Sequence, residues 1–362
     1  MIPAKVATAV ALAFVSLACF GCSNRPLRGV LVPVAEAPVG TSRVPILVAT
    51  TRQRSAPNDG EMFSGERGET SYAAISISIP PDSAREIGQI QWPTTLPGDP
   101  QRNFVTLSAN YIDKPAFLAS LSAEAKQSRH GKVLVFVHGF NNRFDDAVYR
   151  FAQIVHDSKS PAVPVLFTWP SRGETRLRAY TYDRESANYS RDALEELLDT
   201  LGRNPNVTEI NVLAHSMGNW VTLEALRSRY IRPGRFTDKL KNVLLVAPDV
   251  DVDVFRTQIR RMGPQRPRFS LFVSQDDRAL ALSKTIWGDV PRLGEVNPEQ
   301  EPYREEFAQD RIEVFDLTAL KKPGDDAHGR AFEDITSVSA MLKQRLYEGQ
   351  TMSETSPANL IE

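Results

Sequence analysis

The sequence predicts an α/β fold in which a mostly parallel sheet carries helices on both faces. From residue 131 onward, short and continuous apolar runs recur along the chain, as is typical of strands that are buried on both faces. Between these runs lie segments whose apolar residues recur at helical spacing. A repeated strand–helix–strand order indicates parallel strands joined by right-handed connections.

The part of the chain before residue 130 predicts extra strands on the N-terminal side. Strands are expected at residues 46–50 and 72–79, and the second of these alternates isoleucine with serine. A third short strand is expected at 104–107, followed by a helix at 116–127.

The repeated units that follow are predicted in order. The first helix spans 144–155, and a later helix at 193–201 is expected to begin at Ser190 as its N-cap and to end at Gly202. Residues 173–189 are predicted to form either a loop at the rim of a pocket or a solvated connection. The expected strands are 133–137, 163–168, 210–214, 243–247, 269–273 and 312–315.

The first residues of the chain predict an export signal. Lys5 precedes an apolar run at residues 6–20, which is shorter than the roughly 20 residues that a membrane span needs and is typical of a signal-peptide core. Gly21-Cys22 resembles the end of a bacterial lipoprotein signal, although Cys19 stands where Leu, Val or Ile is usual. The resemblance implies that Cys22 receives lipid and becomes the new N-terminus. We therefore expect an exported protein of the cell envelope, anchored to a membrane by lipid.

Five segments follow from these patterns. Residues 1–21 are the predicted signal peptide, and 22–44, rich in Pro, Arg and Val without a period, are a predicted tether. Residues 45–346 form one predicted domain, divided into N-terminal strands at 45–130 and a catalytic core at 131–346. Residues 347–362 are a predicted flexible tail.

Composition excludes several classes of function. The 43 basic and 44 acidic residues balance and show no dense Lys/Arg cluster, which argues against a nucleic-acid partner. Both cysteines, Cys19 and Cys22, lie in the leader, so the mature domain has no cysteine for a disulfide, a zinc site or a nucleophile. Residues 249–260 imitate a calcium loop but have Val254 where glycine is needed and Arg260 where glutamate is needed. No metal and no cofactor is predicted.

The segment around Ser216 is the most informative part of the chain. A buried strand runs directly into Ala214-His215-Ser216-Met217-Gly218, and a helical pattern begins immediately afterwards. This is the G-x-S-x-G pattern with alanine in its first place, in which small residues let strand and helix approach each other around a strained serine. A helix N-terminus behind the serine also stabilises developing negative charge. The pattern predicts a nucleophilic serine.

A second segment ends another buried strand upstream. Val137-His138-Gly139-Phe140 is similar to the His-Gly loop of α/β hydrolases, in which a backbone N–H beyond the glycine completes an oxyanion hole. The similarity implies that the N–H groups of Phe140 and Met217 form that hole.

Residues 131–340 resemble the α/β hydrolases, in particular poorly characterised bacterial esterase- or lipase-like hydrolases that are often exported as lipoproteins. The sequence segments that carry the resemblance are 136–141, 168–171, 214–218, 247–249 and 274–280.

The resemblance implies a triad in the chain order serine, acid, histidine. Among the five histidines, only His328 follows Ser216 with room for an intervening acid, so it is the predicted base. Asp277 is the predicted acid, by resemblance to the Ser-x-x-Asp-x-Ala-Leu segment. Asp276 stays open because spacing alone does not separate neighbouring aspartates, and Asp249 or Asp251 stays open because some family members carry the acid one strand earlier.

These expectations point to a serine hydrolase that cleaves a carboxylic ester, from a small molecule or a lipid, through an acyl-serine intermediate. The same residues would serve a hydrolase of amides or thioesters. A function of another class, a non-catalytic envelope binding protein that retains the fold, also remains open.

Overall fold

The computed structural model describes residues 28–35, 38–56, 59–128, 130–231, 237–321, 325–334 and 338. Cys22, the predicted signal peptide and the predicted tail at 347–362 lie outside the described residues.

Nine strands in the described ranges form one sheet, in the order β3-β2-β1-β5-β4-β6-β7-β8-β9. The strands from β1 to β9 in that order pair in parallel, whereas β2 pairs antiparallel with both β1 and β3. Their bounds are β1 Ser42–Arg54, β2 Phe63–Ile79, β3 Val105–Ile112, β4 Lys132–Val137, β5 Val163–Thr168, β6 Glu209–His215, β7 Leu240–Val246, β8 Arg268–Val273 and β9 Ile312–Asp316.

Helices pack on both faces of this sheet. The residues of β4 show why: Val133, Val135 and Val137 face one apolar core, whereas Leu134 and Phe136 face the other. Helices α1, α3, α4 and α5 contribute to the first core, and α2, α6 and α8 contribute to the second. The helices are α1 Lys114–Gln127, α2 Phe144–Asp157, α3 Leu177–Arg203, α4 Gly218–Ile231, α5 Val252–Met262, α6 Arg278–Ile286, α7 Tyr303–Gln309 and α8 Arg330–Glu333.

The predicted α/β architecture is therefore confirmed, with the extra strands on the N-terminal side. Val30 and Leu31, which belong to the predicted tether, are buried in the second core. The Val30 carbonyl accepts hydrogen bonds from the Thr106 hydroxyl at 2.9 Å and the Tyr149 hydroxyl at 2.8 Å. This part of the predicted tether packs against the domain.

One prediction about the helices is wrong. Ser190 is not an N-cap and Gly202 does not end a short helix, because both lie within the 27-residue helix α3. The Ser190 hydroxyl donates to the Ser186 carbonyl at 2.7 Å, which satisfies a buried polar group inside the helix. Only residues 173–176 of the predicted loop are irregular. The buried face of α3 includes Asp183, Ser186 and Ser190, so a search for apolar spacing alone misses its first turns.

The parallel strands bring several of the predicted site residues to one edge of the sheet. His138 directly follows β4 and Ser216 directly follows β6, its neighbour in the sheet. Asp277 comes four residues after β8, and His328 follows β9. In an open α/β sheet, ligands bind outside the carboxyl ends of the strands, so this edge is where a site is expected. Within the described ranges, no helix has the length and apolar content to cross a membrane.

Candidate active site

Ser216 occupies a strained turn between β6 and α4. Its backbone φ is 52°, in the left-handed region that non-glycine residues seldom adopt. The strain is held by backbone hydrogen bonds: the Ser216 amide donates to the Val246 carbonyl at 3.0 Å, and the Ser216 carbonyl accepts from the Asn219 side-chain amide at 2.8 Å. A serine on such a turn is the geometry of a nucleophile elbow.

Two glycines let the loop after β4 lie against this turn. A Cβ at Gly139 would come within 2.8 Å of the Ser216 Cβ, and one at Gly218 would come within 2.3 Å of the His138 carbonyl oxygen. Real Cβ atoms do not approach so closely. Glycine is therefore required at both positions for the two loops to meet.

This close approach brings two backbone donors near the serine. Neither the Phe140 amide nor the Met217 amide donates to a protein acceptor in the part of the chain that the structure describes. Phe140 is held by the Asn142 side chain, whose amide donates to the Phe140 carbonyl at 2.8 Å. Free amides flanking a nucleophile can stabilise an oxyanion.

The half-buried His328 is paired with a buried aspartate, Asp277. The His328 Nδ1 donates to the Asp277 Oδ2 at 2.8 Å, and the other carboxylate oxygen accepts from the amides of Ala279 and Leu280 at the start of α6. The Asp277 side chain is fully buried. This carboxylate fixes the orientation of the imidazole and leaves Nε2 as the nitrogen that can take up a proton.

Each partner changes the pKa of the other. Burial alone would lower the pKa of His328, but the Asp277 charge and its hydrogen bond outweigh burial and raise that pKa to about 9. Burial alone would raise the pKa of Asp277, but the His328 charge and the hydrogen bonds hold it below its usual value. Asp277 therefore stays ionised.

The other three candidate acids are engaged elsewhere. Asp276 accepts two hydrogen bonds from Arg330, at 2.9 and 3.0 Å. Asp251 is the N-cap of α5, and Asp249 accepts from the Tyr180 and Ser283 hydroxyls at 2.6 Å each. Among the described carboxylates, Asp277 is the one with a hydrogen bond to the His328 side chain.

His215, the residue before Ser216, contacts His328. Its Nε2 is 3.0 Å from the His328 carbonyl oxygen, and the centroids of the two imidazole rings are 4.8 Å apart. Burial and the charge of His328 lower the pKa of His215 to about 3, so it is neutral. In the described residues the Ser216 hydroxyl and the His328 imidazole are not joined by a hydrogen bond, a gap that is common before substrate binds.

His138 connects two loops through hydrogen bonds of its ring. Its ring is buried against Trp169, and burial holds the pKa of His138 well below its usual value. Nδ1 donates to the Gly139 carbonyl at 2.9 Å, and Nε2 accepts from the Trp169 amide at 3.2 Å. Neutral His138 thus joins the loop after β4 to the loop after β5.

Arg52 was missed by the sequence reasoning. This buried arginine, near the end of β1, donates to the Asn142 carbonyl at 2.7 Å, the Ser171 carbonyl at 2.8 Å and the Thr168 hydroxyl at 2.8 Å. Burial lowers the pKa of Arg52 to about 10. The signal in the sequence is an arginine that directly continues an apolar strand. These three partners are 90 to 119 residues away, so the sequence could not identify them.

Asp183, on α3, accepts hydrogen bonds from the loop that follows β5. It accepts from the Ser171 hydroxyl at 2.5 Å and from the Arg172 amide at 3.0 Å. Burial raises the pKa of Asp183 to about 6. A crevice of about 370 Å³ opens beside this network, with Arg52 and Ser171 in its lining, and none of the predicted triad residues lines it.

The described residues contain no group of three or more His, Cys, Asp or Glu side chains that could hold a metal ion.

The model of the alpha/beta hydrolases of unknown function (DUF900) matches residues 113–345. The chain belongs to this family. The match spans both free amides, the elbow and the Asp277–His328 pair of this alpha/beta hydrolase. No curated protein matches the chain.

Solved structures with a similar fold include several hydrolases. A lipase-esterase related protein from Clostridium acetobutylicum is 10% identical, with a TM-score of 0.34, covering 60% of this chain and 96% of that one. A predicted CIB-like hydrolase from Thermoplasma acidophilum is 13% identical, with a TM-score of 0.35, covering 66% and 90%. A siderophore hydrolase from Aspergillus nidulans is 12% identical, with a TM-score of 0.38, covering 87% and 98%. Likenesses at this level do not identify a substrate.

Proposed function

We propose that this alpha/beta hydrolase is a serine hydrolase that cleaves a carboxylic ester through an acyl-Ser216 intermediate. One observation carries the proposal: a serine with φ of 52° is next to Met217 and against the loop of Phe140, whose amides have no acceptor among the described residues, and a hydrogen-bonded His328–Asp277 pair lies on the same sheet edge. This set contains a nucleophile, a base, an orienting acid and two oxyanion donors, which together suffice for acyl transfer.

In the proposed reaction, the Ser216 Oγ attacks the carbonyl carbon and its proton passes to His328 Nε2. The amides of Phe140 and Met217 stabilise the negative oxygen of the tetrahedral intermediate. His328 then donates the proton to the departing alcohol, and Ser216 keeps the acyl group. Water then attacks the acyl carbon while His328 Nε2 takes one of its protons, and His328 returns that proton to Ser216 Oγ as the acid leaves.

The bond type is tested by a matched substrate panel. The purified protein is given the 4-nitrophenyl ester, the thioester and the 4-nitroanilide of the same acyl group, and the esters are extended from two to twelve carbons. We expect turnover of the esters, a burst of alcohol before the steady state, and its loss in Ser216→Ala. Faster turnover of the anilide or thioester would reassign the bond class, and equal turnover by Ser216→Ala would reject the mechanism.

We also propose that the protein is exported and held at a membrane by lipid on Cys22, so that the domain meets small-molecule or lipid esters in the cell envelope. The support is the leader with Gly21-Cys22 at its end. Mass spectrometry of the mature N-terminus tests this. A diacylated or triacylated Cys22 is expected, whereas an intact leader or an unmodified cleavage site downstream of Cys22 would contradict it.

A further inference from the structure

We propose that the substrate carries an anionic group, such as a carboxylate, that pairs with Arg184 beside the site. The inference rests on the proposed function, which it extends to a substrate class. Arg184 lies on α3 with its guanidinium carbon 4.1 Å from the centroid of the Trp287 ring and 5.3 Å from that of Trp220. All three side chains are half-buried.

Contacts connect these three residues to the elbow and to the loop that carries Phe140. Tyr180, one turn before Arg184 on α3, packs edge-to-face against Phe140, with ring centroids 5.1 Å apart. The Trp287 indole donates to the Tyr180 hydroxyl at 3.0 Å. Trp220 lies in the first turn of α4, four residues after Ser216. The Arg184 guanidinium therefore contacts Trp220, on the helix that follows the elbow. It also contacts Trp287, which is hydrogen-bonded to the tyrosine that packs against Phe140.

The Tyr180 hydroxyl is linked to the elbow through Asp249. It donates to Asp249 at 2.6 Å, and the Asp249 amide donates to the Ser216 carbonyl at 3.3 Å. The neighbouring cation Arg292 is already matched, since its Nε lies 3.5 Å from the Asp249 carboxylate.

Arg184 itself lacks an acidic partner. Within the described residues, no carboxylate lies within 4.0 Å of its guanidinium, and none of the guanidinium N–H groups makes a hydrogen bond. A guanidinium has five N–H donors in a planar fork, which matches a carboxylate or phosphate with two parallel hydrogen bonds. The two indole faces hold the cation in place and leave those donors unused. An anionic group on the substrate would use them.

Matched ester pairs test the proposal. On the acyl side, 4-nitrophenyl hydrogen adipate is compared with its methyl ester. On the alcohol side, 4-acetoxybenzoate is compared with methyl 4-acetoxybenzoate. We expect kcat/KM for the anionic member of one pair to exceed that of its neutral partner by about tenfold or more, as for a charge-assisted hydrogen bond. The pair that responds shows on which side of the ester the anion lies.

Variants assign that preference to a residue. Arg184→Gln should reduce the anionic-to-neutral ratio to about one, and Arg184→Glu should invert it. Arg178→Gln is the matched control, because Arg178 is an exposed arginine on the same helix, and it should leave the ratio unchanged. A ratio near one in the wild type for both pairs, or an equal loss on both esters in Arg184→Gln, would overturn the proposal.

A binding measurement separates this inference from the proposed function. Tryptophan fluorescence of Ser216→Ala is titrated with monomethyl adipate, monomethyl terephthalate and their dimethyl esters. At least tenfold tighter binding of one monoester, lost on adding Arg184→Gln, supports the anion site even if the wild type hydrolyses no ester. Equal binding of both members of each pair overturns it even if esters are hydrolysed.

Discussion

The Nε2 of His215 donates a hydrogen bond to the carbonyl oxygen of His328, at 3.0 Å. It joins the residue directly before the proposed nucleophile to the proposed base, across more than 100 residues of chain. The His328 side chain is held from the other side by Asp277, at 2.8 Å. The base is therefore fixed through both its backbone and its ring.

His215 should act as a positioning residue. In His215→Leu, the His328 carbonyl loses its donor, and a loop that places the base becomes less well fixed, so we expect kcat to fall about tenfold with little change in KM. His215→Gln, which keeps an N–H donor, should recover most of the loss. Steady-state kinetics of the two variants check this. A pH profile of His215→Leu with a lower maximum rate but the same apparent pKa as wild type would agree with positioning. A larger loss of kcat in His215→Gln than in His215→Leu would contradict it.

The acidic residues should differ strongly in their effects. Asp277→Asn removes the charge that stabilises the imidazolium and disturbs the orientation of His328, so we expect kcat to fall by about 10²–10⁴. Asp276→Asn weakens an ion pair with the buried Arg330, so it should lower the melting temperature and change kcat by less than about tenfold. Asp251→Asn affects only the cap of α5.

Kinetics and thermal melts of the three variants check this order. If Asp276→Asn or Asp251→Asn lost as much activity as Asp277→Asn, the acid would be assigned to the wrong residue.

The value of kcat/KM should increase with pH into the alkaline range. His328 acts as a base only when it is neutral, and its pKa is raised to about 9, above the usual value near 6.5. We therefore expect kcat/KM to increase about tenfold per pH unit from pH 7 until it levels off near pH 9. Asp277→Asn removes the charge that raises this pKa, so its acid limb should move to lower pH while its maximum rate falls. An acid limb at or below pH 6.5 in the wild type would contradict the assignment of the pair.

The close approach at Gly139 should be intolerant of a methyl group. In Gly139→Ala, the new Cβ would lie 2.8 Å from the Ser216 Cβ and 3.1 Å from His215 Nδ1, so the loop that carries the Phe140 amide must move. We expect kcat to fall at least a hundredfold, because displacing an oxyanion donor costs about that much. Gly263→Ala is the control, since its Cβ would meet nothing within 4 Å and its φ of 70° with ψ of −168° should affect only stability, by about 1–3 kcal/mol. Equal kcat in both variants would contradict the role of this contact.

Much of the fold and the positions of the candidate residues could be predicted because their signals are local. Ser216 and His138 directly follow continuous apolar strands, and small residues flank the serine. Arg52 and Asp183 could not be predicted, because both are buried polar groups whose partners are brought to them by the fold: Ser171, which both contact, lies 119 residues from Arg52 and 12 residues from Asp183. The same cause explains the wrong start predicted for α3. Its first turns bury polar residues such as Ser190, so this segment lacks the apolar spacing that predicts a helix.

Labelling with a fluorophosphonate probe tests the central claim most directly, because the probe reacts with a serine only when a base activates it. Intact-mass and peptide mass spectrometry should find one adduct per chain, on Ser216. Ser158→Ala is the control and should be labelled like the wild type, because among the described residues the buried Ser158 hydroxyl bonds only to the Val155 carbonyl at the end of α2. Ser216→Ala should not be labelled, and His328→Ala should react orders of magnitude more slowly. Labelling of Ser216→Ala at the wild-type rate, or no labelling of the wild type, would contradict the account.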